Sequence, residues 1–268
     1  MKTIKRTTIL VLLLIGMSVT AQNTWRAVYQ FKEIQSEESK KREDSIIKKN
    51  PGMAKMFKQV RERFSNLTYF LDFNMNESVF KEEEKLNTDK YSSGGMTIVF
   101  GANEEILYKN LKKNQYIKTS SMFDGAYRIV DSLPNYHWKI TKETKQIGNY
   151  LVIKAEGTKM LKDGVTGDKH PVKITAWFTP QIPVSTGPEL YGGLPGLIME
   201  LQFDNEIFLV KEVVLNPKKH QKIVAPDKGE AISKEEFDIK QKAYIQKMKK
   251  MYKNNRSKKG KTSRTFTF

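Results

Sequence analysis

The sequence contains no cysteine and only three histidines among its 268 residues. Without cysteine there is no disulfide, no thiolate metal site and no attachment point for the lipid that anchors bacterial lipoproteins. The histidines, His137, His170 and His220, stand in unrelated contexts, and neither His-x-x-x-His nor His-Glu-x-x-His spacing occurs. Gly-x-Ser-x-Gly is also absent. We therefore expect no metal site, no cofactor and no activated nucleophile.

Long hydrophobic runs are scarce as well. Residues 1–21 carry Lys2, Lys5 and Arg6, then the apolar run 9–19, and end in small residues that suit a signal peptidase cut before Gln22. A membrane-spanning helix needs about 20 apolar residues, more than this run offers. The sequence therefore predicts a cleaved export signal, a periplasmic or secreted protein, and no transmembrane segment after cleavage.

Acidic residues are few relative to basic ones, 30 against 47. Removing a leader with three basic and no acidic residues leaves a net charge of +14. Such a field attracts anionic partners without identifying one. For an exported protein we expect no nucleic acid; phosphate-rich lipid headgroups, lipopolysaccharide and acidic proteins are available instead. Alternatively, the lysines only keep the surface soluble.

Residues 22–254 are predicted to form a single domain, because no Pro/Gly/Ser-rich linker divides them. Residues 25–34 alternate as a half-buried strand does, and residues 37–60 have helical composition with a break at Asn50-Pro51, a candidate N-cap followed by proline. From residue 67 to residue 225 the alternation returns in successive short runs. The predicted fold is β-rich α+β: a long curved antiparallel sheet, similar to an incomplete barrel, with an N-terminal helical insertion and a C-terminal helix.

The C-terminal helix is predicted from Ser233, which forms a capping-box pattern with Glu236, to about Asn254. Helical spacing places five residues on one face of it: Phe237, Lys240, Tyr244, Met248 and Met251. This helix packs either on the sheet or on a partner. Residues 255–268 form a basic tail expected to be disordered, although residues 265–268 alternate as a strand does.

The most informative motif lies at residues 187–201, where two glycine- and proline-rich turns precede a strand pattern. A phosphate-binding loop would lead into a helix, whereas this segment leads into the apolar run 197–203. The turn either organises the sheet or lets a ligand approach the backbone closely. The predicted ligand- or partner-binding residues, which form a groove if open and core if closed, are Trp138, Trp177, Tyr191, Gly193, Leu194, Pro195 and Gly196.

Residues 176–180 read AWFTP, Gly187-Pro188 follows, and residues 193–198 read GLPGLI. In this order the motifs resemble the GLPGLI family of exported, β-rich Bacteroidota proteins, which has no established activity. Many relatives have a Tyr-x-Cys segment where this chain has residues 150–152, and an Arg that residues 173–175 lack. The resemblance implies a cell-envelope role, with a TonB-dependent outer-membrane receptor as a possible partner by association only.

Three functions follow as expectations. The first is a non-catalytic binding module for an apolar or lipid ligand, or for an outer-membrane protein partner. The second is a structural or assembly subunit of an outer-membrane complex. The third is an envelope hydrolase, for which Glu189, Glu200 and Asp204 are the acids near the motif.

Overall fold

The structure is a computed structural model. It describes residues 24–65, 67–84, 89–93, 96–100, 105–121, 125–162, 169–218, 222–257 and 264–267. The predicted leader, residues 1–21, lies outside the described residues.

The described chain forms fifteen strands and three helices. The helices are α1 (Glu37–Lys49), α2 (Met53–Phe64) and α3 (Lys234–Ser257). The strands of the first half are β1 (Trp25–Glu33), β2 (Thr68–Phe73), β3 (Glu77–Glu82), β4 (Asp89–Ser93), β5 (Met96–Phe100), β6 (Leu107–Asn110), β7 (Gln115–Ser120) and β8 (Tyr127–Ser132). Those of the second half are β9 (Lys139–Ile147), β10 (Tyr150–Lys162), β11 (Lys169–Thr179), β12 (Leu197–Phe203), β13 (Glu206–Leu215), β14 (Glu230–Ile232) and β15 (Arg264–Thr267).

Twelve strands form one sheet in the order β14-β8-β7-β6-β3-β2-β1-β13-β12-β11-β10-β9, which begins and ends on different strands and is not closed into a barrel. The predicted β-rich α+β class, with a helical insertion after β1 and a C-terminal helix, is confirmed. The sheet is mixed rather than purely antiparallel, because β14 runs parallel to β8. A second, three-stranded sheet has the order β15-β5-β4.

The helical insertion has the predicted break, but its caps differ from the prediction. Ser36 caps α1 by accepting the backbone N–H of Ser39, and Asn50 ends α1 as its C-cap instead of starting α2. Gly52 is the N-cap of α2 and makes no side-chain capping bond. At α3 the predicted capping box is present: Glu236 N–H donates to Ser233 Oγ at 3.1 Å, and Ser233 N–H donates to the Glu236 carboxylate at 2.8 Å.

Most of the core lies on one face of the large sheet, which we call the inner face and define by Ala27, Tyr29 and Phe31 of β1. These alternate residues of one strand are all buried, as the period of two requires. Tyr69 and Phe80 stack on the neighbouring strands with ring centroids 5.0 Å apart. The inner face therefore presents a layer of packed aromatic side chains at the centre of the sheet.

The tail differs from the expectation of disorder where it is described. Residues 255–257 continue α3, and β15 pairs in parallel with β5, with Phe266 opposite Ile98. The alternation of residues 265–268 had indicated this alternative, a strand that adds to a sheet.

Candidate functional site

The glycine- and proline-rich motif lies in the segment between β11 and β12, residues 180–196, which we call the signature loop. It packs onto the inner face. Tyr191 and Leu194 are almost completely buried there, and the hydroxyl groups of Thr186 and Ser78 hydrogen-bond at 3.2 Å. Tyr29 O–H, from the middle of β1, donates to the carbonyl oxygen of Ile198 at 2.5 Å, just after the loop. These contacts therefore join the signature loop to the middle of the sheet.

Two glycines of the motif are required by backbone geometry. A Cβ on Gly196 would lie 2.1 Å from the carbonyl oxygen of Thr179, a distance that leaves no room for any side chain. Gly193 has φ +84°, and its N–H donates to Ser185 Oγ at 3.0 Å. Gly193 and Pro195 are exposed, whereas Gly196 is buried. These contacts fit the interpretation of the motif as a turn that organises the sheet.

Trp138 holds the loop from the side. Its indole N–H donates to the carbonyl oxygen of Gly192 at 2.8 Å, and its ring occupies the space above Gly157, where a Cβ would come within 2.8 Å of it. Tyr136 stacks on Tyr191 with ring centroids 4.7 Å apart. Trp138, Tyr136 and Tyr191 thus pack against the loop, the sheet or one another.

Trp177 does not join this group, which corrects the expectation of a single aromatic patch. Ala176 and Phe178, its neighbours in β11, are buried on the inner face, so the side chain of Trp177 points to the opposite face. There the Lys145 ammonium lies 4.3 Å from the centroid of a Trp177 ring and 2.7 Å from the Glu200 carboxylate. The predicted residues are therefore divided between two faces of the sheet.

Lys109 on β6 is a central residue that sequence reasoning missed. Its side chain is buried on the inner face, and its ammonium donates to the carbonyl oxygens of Gly187 at 2.7 Å, Glu189 at 2.8 Å and Tyr191 at 3.2 Å. Burial lowers the pKa of Lys109 to about 7, while the Glu189 carboxylate acts in the opposite direction. Only the protonated amine has three donors for these three carbonyls. The one available signal was the position of Lys109 in a strand whose neighbour, Leu107, shares its face.

Glu189 of the signature loop and Glu206 at the start of β13 form an acidic cluster. Glu189, which has φ +45°, lines a cleft of about 170 Å³ with Tyr69 and Phe80. Burial and the nearby Glu189 carboxylate raise the pKa of Glu206 to about 7, against the effect of Lys159. Burial also raises the pKa of Tyr191. The cluster can exchange a proton at Glu206 near neutral pH.

The three acids considered for hydrolysis are not gathered in one place. Glu200 pairs with Lys145 on the face opposite the loop, and Asp204 lies exposed in the β12–β13 turn with φ +48°. Of these three acids, Glu189 lines the cleft on the inner face, together with Glu82 and Glu105. Among the described residues there is also no group of three or more His, Asp or Glu side chains that could hold a metal ion.

A larger open groove lies between α1 and α2. Its volume is about 740 Å³, and its apolar lining comes from Ile46, Phe57, Val60 and Phe64. Helix α1 buries no residue, and α2 buries only Met56. The hairpin of α1 and α2 thus has almost no core of its own. The volume of the groove falls within the range of pockets that bind ligands, about 300 to 1,000 Å³.

In the part of the chain that the structure describes, none of the helices combines the length and apolar character needed to cross a membrane.

The comparisons with known proteins give a family similarity over a short stretch. A model described as "Protein of unknown function (Porph_ging)", for a Bacteroidota-associated family, matches residues 162–200, the stretch that contains AWFTP and GLPGLI. No curated protein matches the chain.

Two solved structures are similar to this chain at low identity. "Structure of PNGF-II in C2 space group" is 14% identical, with a TM-score of 0.49 over 81% of this chain and 32% of that one. "Structure of PNGF-II in P21 space group" is 14% identical, with a TM-score of 0.45 over 74% of this chain and 29% of that one. The chain therefore spans about a third of the length of these solved chains.

Proposed function

We propose that this protein is a non-catalytic binding module of the bacterial cell envelope, and that the groove between α1 and α2 receives an amphipathic segment of a partner protein. The observation that carries the proposal is the apolar lining of that groove on a hairpin with one buried residue. An amphipathic helix laid into such a groove is a common way in which proteins recognise one another.

The apolar lining of the groove is partly exposed. Ile46 is 40% exposed, and Phe57, Val60 and Phe64 are half-buried. Burying exposed apolar surface contributes about 25 cal/mol per Å². A partner that covered these four side chains would therefore gain free energy that the hairpin does not gain on its own.

The rim of the groove favours a protein segment over a lipid. Arg61 of α2 forms an ion pair with Glu43 of α1 across the hairpin, and Lys58 lies 3.8 Å from Glu62. Arg42 pairs with Glu38 one turn earlier on α1. An apolar centre inside a rim of both charge signs is typical of protein interfaces, where rim charges set orientation more than affinity.

In this proposal the signature loop has a supporting role. Lys109, Tyr29 and Trp138 all hydrogen-bond to backbone carbonyls in or next to the loop, so the motif residues serve the stability of the sheet that carries the hairpin. The envelope location rests on the leader pattern of residues 1–21, and a TonB-dependent receptor as partner rests only on the family resemblance.

The test is site-specific photo-crosslinking in envelope extracts. A photoreactive phenylalanine analogue replaces Ile46 in the groove or, as the control, Leu151, which is 46% exposed on β10. We expect one protein adduct from position 46, whose crosslinked peptide maps to an amphipathic segment, and its loss when Phe57→Glu is added. The same adducts from both positions would contradict the proposal. A lipid adduct at position 46 would show that the groove binds an apolar ligand instead of a protein segment.

A further inference from the structure

Helix α3 is attached to the sheet by its first turns only. Phe237 is 6% exposed and packs edge-to-face on Tyr127 of β8, with ring centroids 6.3 Å apart. The Lys240 ammonium lies 5.0 Å from the centroid of the same Tyr127 ring and 3.8 Å from Glu230 of β14. These contacts fix the start of the helix at the β14 edge of the sheet.

Beyond Gln241 the described side chains of α3 are exposed. All described side chains from residue 242 to 247, and that of Lys250, are exposed, although α3 extends to Ser257. Tyr244 is 40% exposed and Ile245 is 45% exposed. At about 1.5 Å per residue, the part of α3 after Gln241 is about 24 Å long. A long helical surface is thus presented to the surroundings.

The charge of this part has a single sign. After Asp238 the sequence has eleven Lys or Arg residues and no Asp or Glu as far as Phe268. Nine of the eleven are lysines, which act as compact charges on long flexible stems. Within the described part, the acidic partners of α3 lysines are Asp238 for Lys234 and Glu230 for Lys240, both near the sheet. The part of α3 after Gln241 therefore has no acid of its own to neutralise its lysines.

The lysines flank an apolar stripe. Phe237 and Tyr244 are two turns apart on one side of the helix, and Ile245 lies next to them. The sequence continues this spacing with Met248 and Met251, whose side chains lie outside the described part. Positions 240 and 247 border the stripe on one side and position 242 lies towards the other. An apolar stripe between lysines is the pattern of a helix that lies in a membrane interface, where the lysine stems reach up to the headgroups.

We propose that α3 beyond Gln241 binds the surface of an anionic phospholipid bilayer. A bilayer interface offers the two chemistries that the helix presents together: phosphate charge for the lysines and acyl chains for Tyr244 and Ile245. An acidic protein would need a shaped apolar surface to match the stripe, whereas a bilayer interface needs none. This site does not depend on the α1–α2 groove. Binding through α3 would hold the proposed binding module at the membrane surface.

The experiment is co-sedimentation of the chain from Gln22 to Phe268 with phosphatidylcholine vesicles, with or without 30% phosphatidylglycerol. We expect binding only with the anionic lipid, and its loss when the salt rises from about 0.1 M to 0.5 M, because salt screens the attraction. The triple variant Lys242→Gln, Lys247→Gln, Lys250→Gln should bind about 100-fold more weakly, since each lysine near such a surface contributes a factor of about 5. Ile245→Gln should weaken binding by a smaller factor that salt does not change.

The matched control is Lys40→Gln, Lys41→Gln, Lys48→Gln, which removes the same charge from exposed positions of α1. It should bind vesicles as the unchanged chain does. Equal weakening by the two triple variants, or equal binding to neutral and anionic vesicles, would overturn the proposal. Binding to soluble polyglutamate but not to vesicles would assign the helix to an acidic protein instead. Circular dichroism of each variant separates loss of binding from loss of folding.

Discussion

The ammonium of Lys109 donates to the carbonyl oxygen of Gly187 at 2.7 Å, between residues 78 positions apart in the chain. This contact joins β6, near one end of the strand order, to the loop that follows β11, near the other. Since the same ammonium also binds the carbonyls of Glu189 and Tyr191, one side chain fixes the backbone path of the signature loop across the inner face.

Replacing Lys109 tests this role. Lys109→Met keeps most of the stem and leaves three buried carbonyls without their donor. Unsatisfied buried acceptors cost about 1 to 3 kcal/mol, and we expect the variant to lose about 2 to 4 kcal/mol of unfolding free energy. Urea denaturation measures the loss. Lys113→Met, at an exposed position of the β6–β7 turn, should change stability little. Equal stability of the two variants would show that the hydrogen bonds of Lys109 contribute nothing to the free energy of unfolding.

A second prediction concerns the GLPGLI motif itself. In Gly196→Ala the new Cβ would meet the Thr179 carbonyl oxygen at 2.1 Å, so the backbone of the loop must move. We expect a loss above about 4 kcal/mol or failure to fold. Gly148→Ala is the control, because Gly148 has φ +57° but nothing within 4 Å of its Cβ position. That variant should lose only about 1 to 2 kcal/mol, the strain of a left-handed alanine. Similar losses for both would remove the steric explanation of the motif.

Much of this fold is predictable from local pattern. The alternation of residues 25–34 predicted β1, and Ser233 with Glu236 predicted the start of α3, because strand burial and helix capping depend on residues close in sequence. The parallel pairing of β14 with β8 was not predicted. A three-residue strand carries no periodic signal, and a parallel partner just over 100 positions away leaves no mark on the local sequence.

The candidate site was less predictable than the fold. The motif residues Tyr191 and Leu194 were identified, but their burial depends on what packs against them from distant strands. Trp177 was grouped with Trp138 and Tyr191 because Pro180 and Pro183 end its strand and were expected to lead the chain towards the Gly187-Pro188 turn. Only the register of β11 reveals that Trp177 points to the other face. Lys109 was missed because a lysine in a strand is usually exposed, and its three carbonyl partners lie about 80 residues away.

The division of the aromatic residues between two faces leads to a third prediction. Tyr191→Ala removes a completely buried ring that stacks on Tyr136, and we expect a loss of about 3 to 5 kcal/mol. Trp177→Ala removes a half-buried ring whose described charged neighbour is Lys145, and we expect about 1 to 2 kcal/mol. Thermal or urea unfolding of both variants gives the comparison. A larger loss for Trp177→Ala would contradict the assignment of Tyr191 to the core.

Glu206 makes stability depend on pH. Its pKa is raised from 4.5 to about 7, so its carboxyl binds a proton more tightly in the folded chain than in the unfolded chain. The resulting stabilisation is complete below about pH 4.5 and is lost as the pH rises through about 7. In Glu206→Gln, which is neutral at every pH, this loss should be absent. Water screens the partly exposed carboxyl, so we expect the variant to gain about 1 to 2 kcal/mol over the unchanged protein at pH 8 and almost nothing at pH 4.5.

Urea unfolding at several values between pH 4.5 and 8 measures this difference. Glu212→Gln is the matched control on the same strand, because Glu212 is exposed on β13. Its stability difference from the unchanged protein should stay within about 0.5 kcal/mol across the range. If Glu206→Gln instead gave the same difference at both ends of the range, the proton at Glu206 would not be coupled to folding. Burial beside the signature loop and repulsion from Glu189 would then have no measurable effect on the carboxyl group.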